Sequence, residues 1–93
     1  MEEHIENLRL AIRESYIYFS QEPELTIEQH VDLLRRTFKD FGSQACANGI
    51  NNGMSGKYGY IQPKLNLHLM SIWIRCYINN CKPNDLKYSK DKL

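Results

Sequence analysis

Between residues 4 and 20, Ile5, Leu8, Ile12, Tyr16 and Phe19 recur at steps of three and four, which lays one apolar stripe along a helix. Leu10, Ile17 and Tyr18 lie beside that stripe and widen it. Pro23 stops simple continuation, so Gln21 to Leu25 reads as a connection. Thr26 followed three residues later by Gln29 has capping-box spacing: the hydroxyl accepts from an orphan backbone N–H and the amide reaches back. A second helix starts there, with Ile27, Val31, Leu34, Phe38, Phe41 and Ala45 at alternating steps of four and three. Two stops are open, one at Gly42 and one at Asn48-Gly49, and the later is the reading adopted.

From Gly49 to Gly59 the chain carries Gly49, Gly53, Gly56 and Gly59, with Asn51, Asn52 and Ser55 between them. Each glycine costs a helix about 1 kcal/mol relative to alanine, so this stretch reads as a loop. Pro63 suits a first helical position, and a third helix is expected from there to about Asn80, ended by Lys82-Pro83. Leu65, Leu67, Leu69, Met70, Ile72, Trp73, Ile74, Cys76, Tyr77 and Ile78 cover most of its circumference. Lys64, His68, Ser71, Arg75, Asn79 and Lys82 form one narrow polar stripe. Two companion helices cover such a helix only in part. The expected fold is therefore an all-α, small three-helix domain with a glycine-rich loop before a highly apolar third helix. The surplus apolar face, centred on Leu69, Met70, Trp73 and Tyr77, is expected to bury itself in a homo-oligomer, read as a dimer, or in a partner.

Composition adds bounds rather than a function. With 93 residues, 42% hydrophobic and 25% charged, the chain is an ordinary globular domain over residues 1–93, with a polar, basic tail at 84–93. No run of about 18 apolar residues is present, and Met1-Glu2-Glu3-His4 is unlike the basic head of a signal peptide; a cytoplasmic location is expected, with no membrane contact. Cys46, Cys76 and Cys81 are odd in number and do not suggest a disulfide framework. The net charge of +1 conceals a net −6 over the first 32 residues and +7 over the rest. A basic back half of this kind can pair with the acidic front or face an anionic partner.

Candidate chemistry gathers in that back half. The run Gly53-Met54-Ser55-Gly56-Lys57-Tyr58 contains a Gly-Lys pair, but a phosphate-binding loop needs glycine and Ser or Thr where Asn51 and Tyr58 stand. Lys57, Tyr58, Tyr60 and Lys64 sit just before a helix start, where an anion is favoured. His68 and Arg75 extend the basic stripe along about 27 Å of helix, and aromatics alternating with lysines suit bases and phosphates. His4, His30 and His68 lie on different helices without ligand spacing, so no metal is expected, nor any other cofactor. No nucleophile stands near a histidine and a carboxylate in sequence, and so small a helical unit has little room for a walled pocket, so no enzyme is expected. The sequence thus points to a non-enzymatic helical binding protein, a small regulator or inhibitor acting on a protein partner. In size and style it resembles compact adapters encoded by phages and mobile elements. The alternative is nucleic-acid or nucleotide binding through Lys57, Tyr58, Tyr60, Lys64, His68 and Arg75.

Overall fold

The stripe of the first helix becomes the first face of the core. The computed structural model describes residues 4–59 and 64–80, and α1 (Ile5–Tyr18) buries Leu8, Ile12 and Tyr16, with Ile5 and Phe19 packed at the edge. Leu10, Ile17 and Tyr18, expected to widen the stripe, point instead to solvent. α2 (Ile27–Thr37) opens on the expected capping box: Gln29 N–H donates to Thr26 Oγ1 at 3.0 Å, and Thr26 N–H donates to Gln29 Oε1 at 2.9 Å. Arg9 ties α1 to α2 by forking onto the Glu28 carboxylate at 2.5 and 3.1 Å. That hydrogen bond holds Glu28 below the usual carboxylate range.

The middle of the chain corrects the sequence reading. α2 ends at Thr37, and after a turn a separate helix, α3 (Gly42–Met54), begins at Gly42 with φ +83°. A left-handed residue breaks the register, so Phe38 is buried while Phe41, the next member of the expected stripe, is 53% exposed. Residues 49–54, expected to be loop, are helix. The expected third helix is the fourth, α4 (Leu67–Asn79), capped by Asn66, whose Oδ1 accepts from Leu69 N–H at 2.8 Å. It closes on Asn80 in the left-handed region. The expected start at Pro63, like Tyr60, Cys81, Lys82 and the tail, lies outside the described residues.

Glycines make this arrangement possible. A Cβ on Gly53 would sit 2.0 Å from the Trp73 ring, and one on Gly49 would sit 2.6 Å from the Ile74 Cα. Two glycines cost α3 about 2 kcal/mol in propensity. Enclosing Trp73 returns more, about 4–6 kcal/mol for roughly 150–250 Å² at about 25 cal/mol per Å². α3 thus becomes the hub, packed on α1, α2 and α4. Leu69, Met70 and Trp73 are enclosed by the chain's own helices, with Trp73 at 0% exposure. The surplus face that motivated a dimer is covered at those three residues by a helix that the sequence reading had divided between a helix end and a loop.

Candidate functional site

The close approach of α4 to α3 brings Tyr77 onto the rim of α3, where small polar residues meet it. Asn7 Nδ2 donates to Gln44 Oε1 at 2.8 Å, Gln44 Nε2 to Asn48 Oδ1 at 2.8 Å, and Asn48 Nδ2 to the Tyr77 hydroxyl at 3.0 Å. This chain of amides crosses from α1 over α3 to α4. One turn further along, Asn52 Nδ2 donates to the Tyr58 hydroxyl at 3.2 Å, which draws the segment after α3 back along the helix. With both tyrosines pinned, Phe41, Ala45, Tyr58, Tyr77 and Ile78 frame an open groove of about 400 Å³, which Asn52, Lys57 and Asn80 complete.

A second, basic cleft of about 530 Å³ borders the groove, because it is lined by Gly42, the neighbour of Phe41, together with Asp32, Arg35, Arg36 and Lys39. Arg36 holds Asp32 at 2.8 Å. Arg35 and Arg36 fall in the last turn of α2, where the helix dipole favours cations.

Of the residues singled out in sequence, the structure brings Lys57, Tyr58 and Tyr77 together in this groove. Lys64 lines a different, smaller cleft and pairs with Glu24 at 3.8 Å. His68 and Arg75 are exposed on the solvent side of α4. The first orphan amides of α4 are met by Asn66, so the expected anion site at that terminus already has a side-chain acceptor. Leu69, Met70 and Trp73 belong to the core. Sequence reasoning missed Phe41, absorbed into a helical stripe, and the amides Gln44, Asn48 and Asn52. Their spacing of four along one helix was the available signal.

The other chemically distinctive cluster is internal. The His30 ring is buried, and its Nδ1–H donates to the Thr26 carbonyl at 2.8 Å, since a carbonyl can only accept. Nε2 then accepts from the Tyr16 hydroxyl at 2.7 Å. Burial, assisted by Glu24, pushes the Tyr16 hydroxyl above its ordinary value. A phenol kept protonated in this way is a poor nucleophile, and the pair serves to lock α1 to the start of α2. Cys46 and Cys76 are buried thiols, and among the described residues no group of three His, Cys, Asp or Glu converges as metal ligands would. Among the same residues, no helix is long and apolar enough to cross a membrane. Comparison with protein-family models, curated proteins and solved structures finds no match for the chain.

Proposed function

We propose that this chain is a non-catalytic protein-binding module, a small regulator or inhibitor that docks its target on the Phe41, Tyr58 and Tyr77 groove. The observation that carries this reading is an open groove framed by three aromatic side chains, with Phe41 half exposed and both tyrosine hydroxyls held by α3 amides. Aromatic side chains give large contact area at low entropic cost and dominate interface energetics. Holding them in place before binding lowers the ordering cost that association must overcome. A second reading, binding of nucleic acid or a nucleotide, draws support from the adjoining cleft of Arg35, Arg36 and Lys39.

A photo-crosslinking amino acid placed at position 41, with a control at exposed position 68, tests the proposal in host cells. The expected result is a protein adduct from position 41 and none from position 68. A nucleic-acid adduct from position 41 would transfer the assignment to the second reading. Absence of any adduct at 41, or equal labelling at both positions, would overturn docking at this groove.

A further inference from the structure

The groove has a chemical bias that narrows what docks there. Its floor is aliphatic, from Ala45 and Ile78, and its walls are Phe41, Tyr58 and Tyr77. Such a lining takes an apolar side chain and offers little to the polar edge of a base. Its ends are different. Lys57 stands at the groove itself, and Arg35, Arg36 and Lys39 line the cleft that begins at Gly42. Against these four cations stand Asp32, engaged by Arg36, and the exposed Asp40. With the amides oriented as described, Tyr77 accepts from Asn48, and its own hydroxyl proton faces the groove without an acceptor among the described residues.

Resting on the docking reading, we infer that the groove receives an acidic amphipathic segment of a partner protein, one large apolar side chain entering between Phe41, Tyr58 and Tyr77 while flanking carboxylates meet Lys57, Tyr77 and the Arg35–Lys39 cleft. Charge complementarity selects this occupant: a cationic rim around an apolar floor raises the encounter rate of acidic segments and penalises basic ones. A single-stranded nucleic acid would ask for cations alternating with the rings along a track. Here the cations gather mainly beyond one end of the groove.

The test pans a phage-displayed library of random 12-residue peptides against the whole chain and measures the recovered sequences as labelled synthetic peptides by fluorescence anisotropy. The expected consensus places Asp or Glu beside Leu, Phe or Trp. Phe41→Ala and Lys57→Glu each weaken binding tenfold or more, and Tyr77→Phe weakens it several-fold. Phe41 and Lys57 are both exposed, so circular dichroism should show unchanged helix content in those two variants. Recovered peptides without carboxylates that still lose binding in Phe41→Ala would leave the docking groove standing and overturn its acidic partner. Acidic peptides that bind Phe41→Ala undiminished would overturn the groove. Failure to recover any peptide, or tighter binding of a 20-residue oligothymidylate than of every peptide, would overturn the inference.

Discussion

Tyr16 and His30 show how much a single buried pair commits. The tyrosine donates to Nε2 at 2.7 Å while Nδ1–H is held by the Thr26 carbonyl, so each ring nitrogen has a partner. Tyr16→Phe leaves Nε2 without its donor and should cost about 1–3 kcal/mol at neutral pH. The sign reverses the comparison in alkali. Because burial raises the hydroxyl's pKa above its ordinary 10.0, the wild-type stability from this group is complete below that value and is lost as pH rises through the higher folded value. The phenylalanine variant has no proton to lose there. Urea unfolding between pH 7 and 11 should therefore show the gap between the two proteins closing above pH 10. A gap that stays constant across that range would contradict the buried hydrogen bond.

At the scale of elements, what could be read in advance followed side-chain size. α1 was legible because Leu8, Ile12 and Tyr16 are large and regularly spaced, and α2 because Thr26 and Gln29 carry their capping chemistry in their identities. α3 was not, since the residues it buries are Ser43, Cys46, Ala47, Gly49 and Gly53, with Ile50 the one large apolar member. Hydrophobic periodicity is blind to a stripe of small residues, whose contribution is what they let approach. The break at Gly42 depends on a dihedral angle, and Ala45 continues the apparent period across it. Tyr58 and Tyr77 were each visible as candidates. Their convergence with Phe41 required the break and the glycine contact together. Gly53→Ala tests that account: helix propensity alone predicts a gain of about 1 kcal/mol, whereas overpacking against Trp73 costs about 1–3 kcal/mol or more. Net destabilisation in thermal or urea unfolding is expected, and a gain would mean that α3 and α4 stand further apart.

For the molecule as a whole, the position of its one tryptophan separates two ways of hiding apolar surface. If Trp73 is enclosed by its own chain, its emission should be blue-shifted and resistant to acrylamide at every protein concentration. If burial depended on a second copy, dilution to nanomolar levels would shift emission to the red. The structure leads to the first outcome. What stays outside, Leu10, Ile17 and Tyr18 on α1 and Phe41 and Tyr77 at the groove, is scattered over separate elements and does not form one continuous face.

The line of amides from Asn7 to Tyr77 works like a short cord knotted at both ends. Whatever grips the ring of Tyr77 pulls on Asn48 and Gln44 in turn and loads the opening turn of α1, so an event at one margin of the molecule is mechanically registered at another without any helix having to move.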